Sequence, residues 1–338
     1  MSPQFVDYDS DGDLDIVAAT FSGSPYVALR DDDGFATPQM ILDRAGARIV
    51  GNQFWNYDTK KWDTTKRCNP MGTTLPETHV TSAWAVDYDR DGDLDLLLGD
   101  HSAGYVFLRV NEGSATAPAF AETNQLVNSA DQPLVVPGTV TTLRTVDWNA
   151  DGRFDLLIGS MGDPYSDEVG GGVTLHLDTA DEGLPSFGPA ITLIERSTKG
   201  QSTANRPDSG LYMDAGDMDG DGDLDLIVGG YSIYVPPARV LSGEEAANLE
   251  ALRKQREVLD AELSAVQAKL REIGERQNGG NNSEEAAAAS AALSTESQRL
   301  FAEVREIAKR IDELAPSRKR ESLTWYYQNL RISNETPR

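Results

Sequence analysis

The sequence predicts an all-β protein made of a repeated unit, with one α-helical segment inserted near its end. An acidic nine-residue phrase of the pattern D-x-[DN]-x-D-G-x-Φ-D, where Φ is apolar, occurs four times, at 7–15, 87–95, 147–155 and 217–225. A short apolar run follows each copy, and such runs are typical of buried strands. Residues 242–316 instead carry apolar residues at spacings of three and four, which indicate helices.

The four acidic phrases, named loop 1 to loop 4 in chain order, have the chemistry of calcium-binding loops. Alternate carboxylates repel one another unless a cation neutralises them, and Ca²⁺ takes about six to eight oxygen ligands from a loop that turns at a glycine. Positions 1, 3, 5 and 9 are expected to donate side-chain oxygens, and position 7 its backbone carbonyl. Loop 3 fits this scheme because Asn149 at position 3 still offers an oxygen, and because Arg153 at position 7 needs only its carbonyl. The predicted metal ligands are Asp7, Asp9, Asp11, Asp13 and Asp15; Asp87, Asp89, Asp91, Asp93 and Asp95; Asp147, Asn149, Asp151, Arg153 and Asp155; and Asp217, Asp219, Asp221, Asp223 and Asp225.

Two other interpretations of the loops are less well supported. An EF-hand needs a bidentate Glu at position 12 and flanking helices, whereas position 12 is Ala18, Leu98, Ile158 and Val228. A single acidic phrase could also be a solvated turn, but four copies with the same glycine and the same following strand favour a metal site. A flexible cage of many carboxylates favours calcium over magnesium.

Each repeat has the same predicted order of strands. One strand leads into the loop, the apolar strand follows it, a third strand alternates in polarity, and a fourth follows a proline or an aromatic residue. The loops begin 80, 60 and 70 residues apart, and a multi-strand unit of about this length is typical of a β-propeller. The predicted third strands lie at 26–30, 105–110 and 173–177, and the predicted fourth strands within 35–42, 117–122 and 184–194.

The helical segment predicts a hairpin. Ser242 and Glu245 have the spacing of a capping box at its start. Apolar stripes at 249–273 and 293–314 flank a predicted turn at 278–282. Two such stripes joined by a short connection predict two antiparallel helices that pack as a coiled coil.

The acidic phrase and the strands around it resemble the FG-GAP/VCBS repeat of integrin α-subunit β-propellers and of many secreted bacterial proteins. The resemblance implies that each loop joins the first two strands of a propeller blade and holds calcium, and that the opposite face binds ligand. The expected fold is therefore all-β, a β-propeller formed by residues 1–241 and 322–338. Four of its blades are recognisable in the sequence, whether or not these four are all the blades of the propeller. A coiled-coil hairpin, 242–316, is inserted in the fourth blade, because 323–330 has the pattern of that blade's third strand.

The longest irregular stretches are predicted at 44–80, 127–138, 160–171 and 197–209, at the strand ends opposite the loops. Long loops on a rigid scaffold often carry function. Within the first stretch, 51–70 combines aromatic and basic side chains. These form either a platform for a sugar or a peptide, or an anchor that holds the segment on the sheets. The residues are Phe54, Trp55, Tyr57 and Trp62 with Lys60, Lys61, Lys66 and Arg67.

Composition narrows the function classes. The net charge of −25 argues against nucleic-acid binding, and no apolar run reaches the length of a membrane span. Cys68 is the single cysteine, which excludes an intrachain disulfide. The start of the sequence lacks the features of a signal peptide and enters a repeat directly. Since loops of this kind suit the millimolar calcium outside cells, we expect an exported protein whose leader is not in this chain, at an extracellular, periplasmic or cell-surface location.

Two function classes remain open from the sequence. The favoured one is a non-enzymatic, calcium-stabilised binding module. Its long irregular stretches, on the face opposite the acidic loops, and its helical hairpin contact a protein or carbohydrate ligand. The alternative is a propeller enzyme that acts on polysaccharide or a related substrate. His79, His101 and His176 have no metalloprotease or catalytic-triad spacing, and no G-x-S-x-G motif occurs. The sequence therefore predicts no catalytic residue.

Overall fold

The computed structural model describes residues 3–162, 169–180, 183–198, 200–278 and 284–329. The chain divides into two compact units. The sheet unit comprises Met1–Gly200, Ala204–Ile233 and Arg320–Arg338, and the helical unit comprises Gln201–Thr203 and Tyr234–Lys319. Most of the predicted turn at 278–282 and the last predicted propeller residues, 330–338, lie outside the described residues.

The strands and helices follow the order that the repeats predicted. The first two repeats contain β1 (Gln4–Val6), β2 (Asp15–Ala19), β3 (Pro25–Ala28), β4 (Arg30–Asp31), β5 (Gly34–Phe35), β6 (Gln39–Met40), β7 (Gln53–Asn56), β8 (Lys61–Thr64), β9 (Val80–Val86), β10 (Asp95–Asp100), β11 (Val106–Arg109), β12 (Gln125–Leu126), β13 (Asn128–Ser129) and β14 (Gln132–Pro133). The last two contain β15 (Thr139–Val146), β16 (Asp155–Met161), β17 (Val173–His176), β18 (Ile191–Ile194), β19 (Ser209–Gly216), β20 (Asp225–Tyr234), α1 (Gly243–Asn278), α2 (Glu284–Leu314) and β21 (Lys319–Tyr327).

Four antiparallel sheets, one for each repeat, form the framework of the sheet unit. Sheet 1 has the strand order β1-β2-β3-β6, sheet 2 β9-β10-β11-β12, sheet 3 β15-β16-β17-β18 and sheet 4 β19-β20-β21. One predicted fourth strand is wrong. Residues 117–122 make only isolated bridges, at Ala117 and Phe120, and the fourth strand of sheet 2 is β12 instead. The chain thus continues past this segment before it reaches the sheet edge.

The second strand of each sheet starts at the last aspartate of its loop. Asp15, Asp95, Asp155 and Asp225 are the first residues of β2, β10, β16 and β20. β10 and β16 are covered on both faces, which explains their continuous apolar sequence. Leu96, Leu97 and Leu98 of β10 are all fully buried.

Three apolar clusters join consecutive sheets in chain order. The first cluster contains Val17 of sheet 1 with Leu96 and Leu98 of sheet 2. The second joins sheets 2 and 3, and the third joins sheets 3 and 4. The first strands of neighbouring sheets also contact one another, β1 with β9, β9 with β15 and β15 with β19. The sheets therefore stack face to face with their first strands on a common side.

The third strand of sheet 4 comes from the part of the chain that follows the two helices. β21, the strand after α2, is hydrogen-bonded to β20, the strand before α1. The prediction of a third strand at 323–330 is confirmed, although the observed strand begins earlier, at Lys319. The helices are thus inserted between the second and third strands of this sheet.

The helical unit is organised by two long helices that pack against each other. The predicted capping box is confirmed, because Glu245 donates its backbone N–H to Ser242 Oγ (3.2 Å) and accepts the Ser242 N–H at 2.9 Å. Leu252 of α1 and Leu300 of α2 are almost fully buried. At the end of α2, Asp312 accepts hydrogen bonds from Ser317 and pairs with Lys319. None of the described helices has the length and apolar character required to cross a membrane.

Two of the predicted irregular stretches contain strands. Residues 53–64 form a small hairpin, in which β7 pairs with β8 and Trp55 lies opposite Trp62. Within 127–138, β13 pairs with β14. Both hairpins are small two-stranded sheets separate from the four repeat sheets.

Candidate metal centres

All four acidic loops have the same backbone conformation. The glycine at position 6 has a φ between 85° and 96° in each loop. Position 4 also has a positive φ, at Ser10, Arg90, Ala150 and Gly220. No atom lies within 4 Å of a Cβ built on the position-6 glycines, so that glycine is required there by the left-handed backbone and not by lack of space. This conformation turns the chain between the first and second strands of each sheet.

The carboxylates at positions 1 and 5 fix this turn. In loop 1, the Gly12 N–H donates to Asp7 Oδ2 (3.2 Å) and the Asp13 N–H donates to Asp11 Oδ1 (2.9 Å). The same two bonds recur in loops 2, 3 and 4 at 2.9–3.2 Å. In loops 1 and 2, each of these carboxylates thereby uses one oxygen for the backbone and keeps its other oxygen for a cation.

The carboxylate at position 9 connects each loop to the third strand of its sheet. Asp95 Oδ2 accepts the Tyr88 N–H (3.2 Å), and its Oδ1 accepts the N–H of Asn111, just beyond β11 (2.6 Å). Both bonds recur at Asp15, Asp155 and Asp225 at 2.7–3.2 Å. The sequence prediction placed this residue among the ligands. The structure adds a second role, in which it joins the loop to the strand beside it.

Three of the loops bring ligand oxygens close together. In loops 1, 2 and 4, one carboxylate oxygen from each of three aspartates lies within 4.8 Å of the others. Such oxygens are close enough to share one Ca²⁺, whose bonds to oxygen are about 2.3–2.6 Å long. The groups are Asp7, Asp9 and Asp15; Asp87, Asp89 and Asp91; and Asp217, Asp219 and Asp221.

Buried carboxylate oxygens without partners support a cation in loops 1 and 2. Oδ1 of Asp7 and Asp9 in loop 1, and Oδ1 of Asp87 and Asp93 in loop 2, are buried and have no hydrogen-bond partner among the described residues. A buried anionic oxygen with no partner is strongly destabilising. The donor set is entirely oxygen, which is what a hard divalent cation prefers. The residues present therefore fit a calcium ion.

Loop 3 differs because its own side chains occupy its ligand oxygens. Asp151 Oδ2 accepts both Asn149 Nδ2 (2.8 Å) and Arg153 Nη2 (2.7 Å). The Arg153 guanidinium therefore competes with a cation for this carboxylate oxygen. Among the described residues, loop 3 forms no cluster of three acidic ligand atoms like those of loops 1, 2 and 4.

The protonation behaviour of the loops reflects these environments. Burial raises the pKa of Asp95 to about 7, although the N–H donors from Asn111 and Tyr88 act in the opposite direction. Burial, together with the adjacent Asp11 carboxylate, raises the pKa of Asp9. In loop 3, the Arg153 backbone N–H and the Asn149 side chain lower the pKa of Asp151. The Asp9 and Asp95 carboxyls thus resist ionisation unless a cation is near, while loop 3 already holds a positive group.

A cluster of aromatic rings lies at the strand ends opposite the loops. Trp62 of the β7–β8 hairpin packs edge-on against Phe21 (5.7 Å between ring centroids) and His79 (4.9 Å). His79 Nε2 lies 2.9 Å from the Phe21 carbonyl oxygen, and His101 packs beside it. Burial lowers the pKa of His79 to about 4. Phe54 of the hairpin stacks under the Arg48 guanidinium at 4.4 Å. These contacts support the anchoring interpretation of 51–70.

His176 and Cys68 are held by local contacts and add no ligands to the acidic loops. His176 lies in β17, where its Nδ1 is 3.0 Å from Ser129 Oγ and 3.3 Å from the Gly188 carbonyl. Cys68 is buried, and its thiol points to the Arg48 carbonyl at 3.6 Å. Both are therefore explained by local packing.

Comparison with known families agrees with the repeat. A model of the FG-GAP-like repeat matches residues 87–158, from the first residue of loop 2 into β16. The chain therefore contains an FG-GAP-like repeat, as its sequence resemblance implied. No curated protein matches the chain.

Proposed function

We propose that the chain is a non-enzymatic, calcium-stabilised β-propeller binding module of an exported or cell-surface protein. The buried, unpartnered carboxylate oxygens of loops 1 and 2 carry the calcium part of this proposal. The propeller part is supported by the FG-GAP-like match and by four sheets that stack in chain order with their first strands together. FG-GAP repeats are often binding modules of extracellular proteins, and that class also fits the calcium chemistry.

Calcium would act on the fold and not on a reaction. Bound at positions 1, 3, 5, 7 and 9, the ion would supply the positive charge that the crowded carboxylates need. Position 9 is the carboxylate that accepts the N–H at the end of the third strand, for example Asn111 N–H on Asp95. Occupancy of the loop therefore stabilises three strands of the sheet together. A ligand that binds only the folded state raises its stability by mass action.

The ligand surface that fits best is the aromatic end of the sheet unit. Tyr57, Trp62 and Phe21 are 62%, 43% and 47% exposed, although Trp62 and Phe21 are also packed against their neighbours. Partly fixed aromatic side chains are favourable contact groups for proteins and for sugar rings, because little side-chain entropy is lost on binding. Lys60 and Lys61, at the tip of the hairpin, add positive charge in an otherwise acidic protein.

Thermal unfolding with and without chelator tests this proposal. The protein is melted in about 1 mM calcium and again in excess EDTA, with magnesium at the same concentration as the matched control. We expect chelation to lower the melting temperature by several degrees, since each kcal/mol changes it by roughly 2–4 °C in a domain of this size. Magnesium should restore little of the loss, because it needs a tighter octahedral site. Identical melting curves in all three buffers would overturn the calcium part of the proposal.

A further inference from the structure

An ion pair connects loop 2 to the third strand of the next sheet. Arg90, at position 4 of loop 2, donates from its Nη2 to Asp178 Oδ2 at 2.7 Å. Asp178 lies just beyond β17 of sheet 3, and its side chain is fully buried, whereas the Arg90 side chain is 35% exposed. Because a buried carboxylate needs a positive partner, this contact holds the Arg90 guanidinium against sheet 3.

Asp178 also holds the last predicted ligand of loop 3. Its backbone N–H donates to Asp155 Oδ1 at 2.8 Å, and Asp155 Oδ2 accepts the N–H of Trp148 at 3.0 Å. The other Asp178 oxygen, Oδ1, accepts the N–H groups of Ala180 and Ser186 at 2.9 Å each. Asp178 therefore contacts loop 2 through its side chain and loop 3 through its backbone.

The backbone of Arg90 lies between two predicted ligands of loop 2. These are Asp89 and Asp91, which both belong to the cluster of ligand oxygens in that loop. The φ of Arg90 is 63°, a left-handed conformation that an arginine seldom takes. A cation shared by Asp89 and Asp91 would stabilise this conformation, and with it the direction in which the Arg90 side chain leaves the loop.

The other repeats have different residues at the two positions of this ion pair. Position 4 is uncharged in loops 1, 3 and 4, where it is Ser10, Ala150 and Gly220. The residues equivalent to Asp178, whose N–H reaches position 9 of the loop, are Arg30, Asn111 and Asn329. Of the four loops, only loop 2 has a basic residue at position 4, and only sheet 3 has a carboxylate at the second position.

We propose that the ion pair between Arg90 and Asp178 couples the two loops, so that calcium in loop 2 strengthens calcium binding in loop 3. This inference rests on the calcium binding proposed above. An ordered loop 2 holds Arg90, Arg90 holds Asp178, and Asp178 directs its N–H to Asp155. A ligand group that is already oriented loses less entropy on binding, which raises the affinity. By linkage, calcium in loop 3 strengthens binding in loop 2 by the same factor.

Two charge effects accompany this coupling and can be separated from it. The Arg90 guanidinium is positive whether or not loop 2 holds calcium, so its charge changes the affinity of loop 3 by a constant factor. Repulsion between ions in neighbouring loops opposes the coupling, but it does not depend on Arg90 and is partly screened at about 0.15 M salt. Since a single, partly exposed ion pair carries the coupling, we expect a factor of about five, at the lower end of the usual range.

Trp148 allows loop 3 to be observed separately from the other loops. Position 2 of the four loops is Tyr8, Tyr88, Trp148 and Met218, so only loop 3 has a tryptophan there. Terbium binds oxygen ligands as calcium does, and it luminesces when a nearby excited tryptophan transfers energy to it. The part of this luminescence that Trp148→Phe removes reports terbium in loop 3. Its displacement by added calcium then measures the calcium affinity of that loop.

A double-mutant cycle at about 0.15 M salt tests the coupling. Its first arm is Asp89→Ala combined with Asp91→Ala, which removes two of the three clustered carboxylates of loop 2. With Arg90 and Asp178 unchanged, this variant should bind calcium in loop 3 about five-fold more weakly than the unchanged chain does.

The second arm makes the same change in loop 2 after the ion pair has been removed. Arg90→Ala alone would leave the buried Asp178 carboxylate unpaired, so it is combined with Asp178→Asn. Both new residues occur at the equivalent positions of other repeats, as Ala150 and Asn111, and the fold should therefore be kept. In this background, the loop 2 substitutions should change the affinity of loop 3 by no more than about two-fold.

Loop 4 provides the matched control, because sheet 4 also packs against sheet 3. Asp219→Ala combined with Asp221→Ala removes two clustered carboxylates there. Position 4 of loop 3 is the uncharged Ala150, which cannot form the ion pair with sheet 4. The affinity of loop 3 should therefore stay within about two-fold of its original value.

Two results would each overturn this coupling while leaving calcium binding intact. One is an unchanged affinity of loop 3 when loop 2 loses its two carboxylates, and the other is an equal weakening with and without the ion pair. A chain that binds neither calcium nor terbium would instead overturn the calcium proposal, and the coupling with it. Melting curves of the Arg90→Ala/Asp178→Asn variant check that its fold is intact.

Discussion

Replacing Arg153 tests whether loop 3 is the weakest calcium site for the reason seen in the structure. The Arg153 guanidinium lies 2.7 Å from Asp151 Oδ2, and both side chains are partly exposed. A cation in loop 3 would have to replace this ion pair, which is worth up to about 1 kcal/mol at such exposure. It would also be repelled by the guanidinium, by roughly 1–2 kcal/mol for a divalent ion about 5 Å away in water. Together these effects amount to about 2 kcal/mol, or roughly thirty-fold in affinity.

We therefore expect Arg153→Gln to tighten calcium binding at the weakest site about thirty-fold and to leave the other sites unchanged. Isothermal titration of chelator-treated protein measures this directly. The matched control is Arg44→Gln, which removes one positive charge from an exposed pair with Glu112, neither of them a residue of the four loops. If Arg153→Gln leaves the weakest phase unchanged, or changes it no more than Arg44→Gln does, the guanidinium does not limit loop 3.

Three further predictions concern the aromatic end and the helical unit. Burial lowers the pKa of His79 to about 4, so this side chain binds a proton more tightly in the unfolded chain than in the folded one. The free energy of unfolding should therefore fall by up to about 3 kcal/mol as the pH drops from about 6.5 to 4. Melting midpoints measured across this pH range test the prediction. Leu252→Ala should destabilise the helical unit by about 2–4 kcal/mol, as helical circular dichroism reports, because Leu252 is 3% exposed. Replacing 243–315 with a short Gly/Ser linker should leave calcium-dependent melting of the sheets nearly unchanged, since β20 and β21 already pair.

Each of these three predictions has a control variant or an outcome that would contradict it. His79→Gln keeps a side-chain donor but does not titrate, so an equal loss of stability at low pH in this variant would contradict the His79 argument. Val258→Ala, at a helix residue that is 58% exposed, should cost far less than Leu252→Ala. A linker variant that fails to fold would show that the helices are required by the sheets.

The sequence predicted the loops and their flanking strands because the same local pattern recurs four times. Glycine at position 6 reports directly on backbone φ, and the apolar run after each loop reports on burial, so both can be identified without a structure. The insertion was predictable for a similar reason: a helical spacing of three and four interrupts the repeat, and the strand pattern resumes near Lys319. Both inferences depend on short-range periodicity.

What the sequence did not reveal depends on contacts between distant residues. The N–H donors to position 9 come from Arg30, Asn111, Asp178 and Asn329, which are of three residue types and lie 15 to 104 residues from their acceptors. No local pattern could identify them. The segment at 117–122 was mistaken for a strand because its proline and phenylalanine resemble the cues of the other repeats. Its Phe120 is instead buried in the cluster between sheets 1 and 2.

The hairpin at 53–64 was also missed, because Phe54 and Trp55 are adjacent in β7 and break the alternation of a half-buried strand, and no turn signal such as Asn-Gly joins β7 to β8. Lys60 adopts a φ of 53° at the turn, a conformation that lysine seldom takes. The packing of Trp62 on Phe21 and His79 holds this turn in place. Tertiary contacts thus override local preference at this point.

Calcium stoichiometry is the most direct test of the central claim that the repeated loops are metal sites. Titration of the chelator-treated chain with calcium should show three ions bound in a tighter phase, in loops 1, 2 and 4, where three acidic ligand atoms lie within 4.8 Å. A fourth ion should bind in a weaker phase, in loop 3, and Asp151→Ala should remove that phase alone. A titration that shows no bound calcium, or an Asp151→Ala variant that loses the tighter phase instead, would contradict the account.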